Sequence, residues 1–376
     1  MRYLHLYRLL IGLLPAPDWK IPDDAGELGR RFAGIYRKHR ALGSALGLFD
    51  YDGLKTHLCF GKARRSVAVA VDTVFRVASV SKMVTGALVM RLSEAGQIDL
   101  DGDVDSVLPY SLRHPGAPDV PITLRMLLTH TAGINDGKAY IDSLGQDVPA
   151  QKLLAQDSHT AHLPGVRCEY SNFGVGLVAC VLEAALGRSF EVLAQEWLFE
   201  PLNMNASFYP HRVEATLADA WRILPPGKGP AFDGNARQKT VKAGWDEPDP
   251  YTHYSLAQGN CCMDIKSAVN LGQALIWPGF FQQESLDAMR TPAASLAFRD
   301  PALTQGIGTF VLSDPSISPR PLYGHQGMAY GAVHMMFMDP ETGEGIISFT
   351  SGVSEARRYI LADVNRALIS AWQEAK

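Results

Sequence analysis

A hydroxyl and an amine stand three residues apart in Phe75-Arg76-Val77-Ala78-Ser79-Val80-Ser81-Lys82. The stretch reads as a strand end running into a helix, where positions i and i+3 share a face, so the Lys82 ammonium can reach the Ser79 hydroxyl. A serine in a first helical turn also lies beside unpaired backbone N–H groups and the positive end of the helix dipole, which suits it for nucleophilic attack. Ser-x-x-Lys is short, however, and recurs in helices as an N-cap followed by a solvated lysine. Its surroundings decide its meaning.

Two further groupings carry chemistry. Tyr170-Ser171-Asn172 heads a helix after a Pro/Gly-containing loop. A phenol with an ordinary pKa of about 10 is lowered by a nearby ammonium, and an asparagine amide can orient a carbonyl. The plainer reading is a buried tyrosine and an asparagine helix cap. Tyr323-Gly324-His325-Gln326-Gly327-Met328 lies on a predicted strand, where the glycine lets a ligand or another backbone come close.

The elements that must position these groups follow from periodicity. Val84, Leu88 and Leu92 form the stripe of a helix over 83–95, with Gly96 at its stop. Residues 23–40 form an amphipathic helix through Leu28, Phe32, Ile35 and Tyr36, and 45–51 and 56–61 make a hairpin across Asp52-Gly53. The middle of the chain reads as helical and loop-rich without a convincing strand pair. It holds a Thr123-capped helix within 122–133, helices at 173–186 and 190–199, an irregular flap at 204–249, an Asp264-capped helix to Leu275, and a helix at 283–290. From residue 307 the period returns to two: strands at 307–312, 322–328, 332–338 and 345–351 precede a helix over 354–376 with Ile360, Val364, Leu368 and Trp372 on one stripe.

The predicted class is therefore α+β. An antiparallel sheet flanked by N- and C-terminal helices forms a discontinuous lobe of residues 1–84 and 292–376, a mainly helical lobe of 85–291 is inserted, and the site lies at their junction.

Composition narrows the function. The 376 residues are 47% hydrophobic and 20% charged, which is globular and long enough for a large core. A net charge of −4 with both signs interspersed excludes a nucleic-acid stripe or polybasic membrane patch and favours a small-molecule substrate. Cys59, Cys168, Cys180, Cys261 and Cys262 are odd in number and lack zinc spacing, so they read as reduced thiols and the protein as cytoplasmic. The apolar run 9–14 falls short of a signal h-region of ~7–15 residues, so 1–22 is expected to be a docked helical arm, with a secreted or periplasmic location as the alternative. No apolar stretch approaches the ~20 residues of a transmembrane helix. His159 and His162 lack the third ligand that zinc requires, His130 reads as a packing residue, and no metal or cofactor is expected.

The joint order of Ser79-x-x-Lys82, Tyr170-x-Asn172 and His325-x-Gly327 resembles the serine β-lactamase and penicillin-recognising superfamily. The phrases Leu127-Leu128-Thr129-His130-Thr131-Ala132-Gly133 and Glu200-Pro201-Leu202-Asn203-Met204 are similar to its class C branch, which includes D-aminopeptidases, DD-peptidases and family VIII esterases. The resemblance runs from about Phe32 to Trp372. It implies that Ser79 is the acylated nucleophile, that Lys82 and Tyr170 exchange its proton, and that Asn172 holds the substrate amide or ester. It further implies an oxyanion hole from the backbone N–H groups of Ser79 and Met328, and a substrate-facing strand at His325 and Gly327. His325 replaces the lysine of the branch's β-lactamases and weakens any carboxylate clamp. The expected activity is a serine hydrolase working through an acyl-enzyme, a carboxylesterase or D-amino-acid amidase or peptidase. Penicillin binding or weak β-lactam hydrolysis is the alternative, and an inactive ligand-binding homologue is the alternative outside enzymes.

Overall fold

The computed structural model describes residues 25–64, 66–213, 215–224, 227–230, 246–295, 300–357 and 359–376. The expected arm at 1–22, the helix opening at Asp23 and Asp24, and a large part of the expected flap lie outside the described residues.

The strands are β1 (Gly43–Asp50), β2 (Gly53–Arg64), β3 (Val67–Ala68), β4 (Phe75–Arg76), β5 (Ala206–Ser207), β6 (Trp221–Leu224), β7 (Gly227–Pro230), β8 (Cys262–Met263), β9 (Ala294–Ser295), β10 (Leu303–Gln305), β11 (Phe310–Leu312), β12 (Leu322–Ala329), β13 (Ala332–Asp339) and β14 (Glu344–Ser351). The α-helices are α1 (Gly26–Lys38), α2 (Ser81–Glu94), α3 (Leu124–Leu128), α4 (Lys138–Ser143), α5 (Ala150–Leu154), α6 (Asn172–Leu186), α7 (Phe190–Ala194), α8 (Ile265–Ile276), α9 (Gln283–Arg290) and α10 (Asp363–Gln373).

Nine strands form one antiparallel sheet in the order β3-β2-β1-β14-β13-β12-β11-β10-β9. Strand β1 lies beside β14, with Gly43 opposite Ser351 and Phe49 opposite Gly345, so the two ends of the described chain share a sheet. Alternating side chains give the sheet two dry faces. On β13, Met336 and Met338 join one core while Val333, Met335 and Phe337 join another. The first core also takes the inner faces of α2, α6 and α8; the second is closed by Phe32 and Tyr36 of α1 and Val364, Leu368 and Trp372 of α10. A sheet buried on both sides explains why β13 reads as a nearly continuous apolar run from Ala332 to Met338. The α+β class expected from the sequence is the one observed.

Several local expectations need correction. The middle of the chain does contain strands: β4, β8 and β5 form a three-stranded sheet, and β6 pairs with β7. Two-residue strands are too short to impose a period on the sequence. Helix α10 starts at Asp363, not at 354, because Asn365 and the Ala362 N–H are held by the Gln326 side chain, which fixes the preceding loop as an extended entry. Strand β11 starts at Phe310; Gly306 and Gly308 ahead of it form a turn against α2, where a Cβ on Gly308 would lie 2.6 Å from the Lys82 carbonyl oxygen. The helix predicted at 190–199 becomes π-helical over Gln195–Phe199. Among the described residues no helix is long and apolar enough to cross a membrane.

Candidate active site

The Ser79 segment is held from three sides. Strand β4 pairs with β8, and Val77 N–H donates to the Cys261 carbonyl at 2.8 Å. A 3-10 turn, Ala78–Val80, then feeds α2 and puts Ser79 half-buried one turn ahead of Lys82. Ala78 sits at φ +48°, a left-handed conformation that costs a non-glycine residue about 1 kcal/mol or more, and such strain collects at functional turns. Strand β12 closes the turn from above: a Cβ on Gly327 would lie 2.2 Å from the Val77 carbonyl oxygen and 2.9 Å from the Ser79 nitrogen. Of the two approaches the sequence left open for Gly327, the one seen is that of another backbone.

Lys82 is fully buried, and its Nζ donates to Ser79 Oγ at 3.0 Å, Asn172 Oδ1 at 2.8 Å and the Gln258 carbonyl at 2.7 Å. Burial pushes its pKa down to about 7, with Asp136 acting in the opposite direction. A neutral amine keeps two N–H bonds and one lone pair. The Asn172 and Gln258 oxygens occupy the two hydrogens, which leaves the lone pair facing the Ser79 hydroxyl. The Gln258 carbonyl is itself fixed, because the segment around it is stitched to the Ser79 segment and α2 by Thr85 Oγ1 to Ala257 O (2.8 Å), Arg76 Nη1 to Gly259 O (3.0 Å) and Cys261 N to Ser81 Oγ (3.0 Å).

The Tyr170 ring lies beside this amine, with Lys82 Nζ 5.0 Å from its centroid. Its pKa was expected to be lowered; it is raised, because burial outweighs the help from the Ser79 hydroxyl. The phenol therefore keeps its proton at neutral pH. His130 supports it from behind with its ring 4.3 Å away, while His130 Nδ1 accepts from the Ser171 N–H at 3.1 Å. Burial and the nearby Lys82 drive His130 well below the usual imidazole range, so it is neutral.

His325 is also neutral. It is buried, its Nδ1 donates to the Gln326 carbonyl at 2.5 Å, its ring stacks on Phe310 at 4.1 Å, and burial followed by Lys82 lowers its pKa to about 3. The sequence left its charge state open. The structure removes it as a cation at any ordinary pH. Met328 follows on β12, half-buried, with Gly327 buried against the Ser79 turn. All seven candidate residues, Ser79, Lys82, Tyr170, Asn172, His325, Gly327 and Met328, thus belong to one cluster built by α2, α6 and β12.

Two members of the cluster escaped sequence reading. Gln258 contributes only a backbone oxygen, which no residue type announces. Asp136 reads as a turn aspartate before Gly137, yet its carboxylate accepts from Asn172 Nδ2 at 2.7 Å, Phe173 N at 2.9 Å and Ser171 Oγ at 3.0 Å. Among the described residues no group of three or more His, Cys, Asp or Glu is placed to hold a metal.

Comparison with known proteins gives the same frame. The "Penicillin-binding protein 4" of Amycolatopsis lactamdurans is 31% identical over 194 residues, 50% of each chain. The "Probable fimbrial assembly protein FimD, serogroup H1" of Dichelobacter nodosus is 37% identical over 132 residues, and the chain spans only 33% of it. The chain thus spans half or less of the length of these curated relatives. The solved structure of "EstCE1, a hydrolase with promiscuous acyltransferase activity" superposes with a TM-score of 0.74 at 23% identity, over 92% of this chain and 98% of that one, which shows a shared fold. A family profile described as Beta-lactamase matches residues 28–371, and on that extent the chain belongs to the beta-lactamase family.

Proposed function

We propose that the protein is a serine hydrolase that cleaves a small ester or amide through an acyl-enzyme on Ser79. The observation that carries this reading is the buried Lys82 amine, 3.0 Å from Ser79 Oγ with a pKa brought down to about 7. As the Ser79 oxygen attacks the substrate carbonyl, its proton passes to the Lys82 lone pair. Charge on the carbonyl oxygen is met by the N–H groups of Ser79 and Met328. Tyr170 gives its proton to the departing alkoxide or amine and is refilled from the Lys82 ammonium. Water then attacks the acyl-enzyme by the same steps in reverse, its proton going to Lys82, and Ser79 is released. Asn172, with its oxygen on Lys82, orients the base before it can hold a substrate carbonyl.

Substrate class follows from charge. A β-lactam carries a carboxylate beside its reacting ring, and the neutral His325 offers it no cation. An uncharged ester, or the amide of a small D-amino acid, fits better than a penicillin. Penicillin acylation with slow turnover stands second. The same proposal includes a sheet lobe of 1–84 and 292–376 and an inserted lobe of 85–291 with the site between them. Five unbridged cysteines support a reducing compartment such as the cytoplasm.

The test is intact-protein mass spectrometry over time of wild type and Ser79→Ala, each mixed with p-nitrophenyl butyrate, a D-alanyl p-nitroanilide or a penicillin. An adduct in wild type alone is expected, with fastest turnover of the butyrate ester. Equal modification of both proteins, or none by any reagent, would leave the fold as a binding scaffold.

A pH profile checks the base. Because Lys82 must be neutral to accept the proton, kcat/KM is expected to rise with pH and to level off above about 7. Tyr170 and His325 titrate outside that window. A profile flat from about pH 5 to about pH 9 would contradict Lys82 as the base.

A further inference from the structure

We infer that Asp136 is a positioning residue for this hydrolysis: its carboxylate holds the Asn172 amide in the one orientation that presents an oxygen to Lys82, and supplies the anion that faces that amine. The inference rests on the serine-hydrolase reading of the site.

The hydrogen bonds run in one direction. Lys82 Nζ donates to Asn172 Oδ1 at 2.8 Å, and Asn172 Nδ2 donates to Asp136 Oδ2 at 2.7 Å. An ionised carboxylate only accepts, and a lysine amine donates through every hydrogen it carries. Turning the Asn172 amide over would set its NH2 against the amine and its oxygen against the carboxylate, losing both bonds. Asp136 is therefore what makes the amide's orientation unique. A second asparagine or a water could accept and donate equally and would leave it free to turn.

Asp136 is in turn immobilised. Its Oδ1 takes the Phe173 N–H in the first turn of α6 (2.9 Å) and the Ser171 hydroxyl (3.0 Å), while the Ser171 Oγ accepts the Gly174 N–H at 2.9 Å. The loop that carries it is anchored by a bridge between Ile134 and His159 and by Asn135 N to Ser158 O at 2.9 Å. The carboxylate thus fastens the start of α6 to the base of the site.

The charge matters as well as the shape. The titratable groups facing Lys82 are Tyr170 at the α6 entry, His130 after α3, His325 on β12, and Asp136. Tyr170 and both histidines are neutral near pH 7, since burial raises the phenol and lowers the imidazoles. Among the described residues, Asp136 is the charge that acts on Lys82, and it acts against the effect of burial. Without it the amine would lose its proton more readily, but would face an amide free to rotate.

Asp136→Asn keeps the size and removes the charge. The experiment follows the rate of Ser79 labelling by a fluorophosphonate against pH, in wild type, Asp136→Asn and Asp136→Glu, with far-UV circular dichroism and Tm on each. In Asp136→Asn the acidic limb is expected to move down by about one pH unit, a tenfold change in the Lys82 protonation equilibrium, and the plateau rate to fall by about tenfold. In Asp136→Glu the limb is expected to return toward its wild-type position. A merely structural role would lower the rate evenly at every pH and leave the limb in place, which overturns the inference while the hydrolase reading stands. Loss of the cooperative unfolding transition in both variants would make Asp136 a folding residue and overturn it too. If wild type is unlabelled at every pH, the hydrolase reading fails, and this inference with it.

Discussion

Replacing Lys82 with methionine is expected to lower kcat by about 10²–10⁴-fold and to flatten whatever pH dependence remains. Methionine has the length and flexibility to fill the buried channel between α2 and α6, but it has neither a lone pair basic enough to take the Ser79 proton nor a hydrogen to give Asn172 Oδ1 and Gln258 O. The two oxygens lose their donor at about 1–3 kcal/mol each, partly offset because a buried amine no longer has to be desolvated. Folding should survive, so the loss shows in kcat and not only in Tm. Lys82→Arg separates base from charge. A guanidinium stays protonated throughout the accessible range and cannot accept the proton, so this variant is expected to be as inactive as Lys82→Met. Substantial activity in Lys82→Arg would mean that the cation alone suffices and that proton abstraction lies elsewhere.

Gly327→Ala is expected to lower kcat/KM by about 10²-fold or more and to destabilise the fold by about 1–3 kcal/mol. The added methyl would fall 2.2 Å from the Val77 carbonyl oxygen and 2.9 Å from the Ser79 nitrogen, both backbone atoms on either side of the strained Ala78. Neither can rotate away, so the turn carrying Ser79 must shift from β12. That displaces the Ser79 hydroxyl from Lys82 and pulls the Ser79 N–H away from the Met328 N–H with which it is proposed to work. The control is Gly34→Ala on the exposed side of α1, where nothing lies within 4 Å and the backbone is helical. There the substitution is expected to stabilise by about 0.5–1 kcal/mol and leave kinetics untouched. Similar kinetics in both variants, measured alongside urea unfolding, would refute the idea that β12 buttresses the nucleophile.

What the sequence disclosed is what local periodicity and spacing can encode. Ser79 and Lys82 are one helical turn apart, so their meeting is a property of the segment. Thr123 and Asp264 were legible at helix starts because a capping side chain bonds within its own next turn, as Met126 N and Ser267 N show, whereas the cap expected at Asn172 is Ser171, whose Oγ accepts the Gly174 N–H. The hairpin and the meander announced themselves through period-two patterns and their turn residues. Asp136 was invisible because its three partners come from another segment and nothing in Ile134-Asn135-Asp136-Gly137 hints at them. The protonation states were hidden for the same reason: an ammonium beside a phenol lowers it in water, but here both groups are buried, and desolvation decides. His325 was read as a possible cation from its residue type, whereas burial first and the nearby Lys82 second keep it neutral. Two-residue strands such as β5 and β8 have no pattern to read; β8 is made by pairing with β4 ahead of the Ser79 turn, and β5 by pairing with the other edge of β8.

The pairing of β1 with β14 fixes the order in which such a chain can become active. Gly43 finds its partner at Ser351, so this ladder, unlike the hairpin pairings on either side of it, joins segments far apart in sequence, and such contacts close slowly and late. During synthesis the β1–β2 hairpin emerges with one edge bare, and the Ser79 turn emerges with nothing above it, because β12 is made from residues 322–329. Ser79 therefore stays without its covering strand until residues 322–329 have left the ribosome. Proofreading is thus inherent in the topology: a chain cut short before β12 presents Ser79 and Lys82 without the strand that seats their turn.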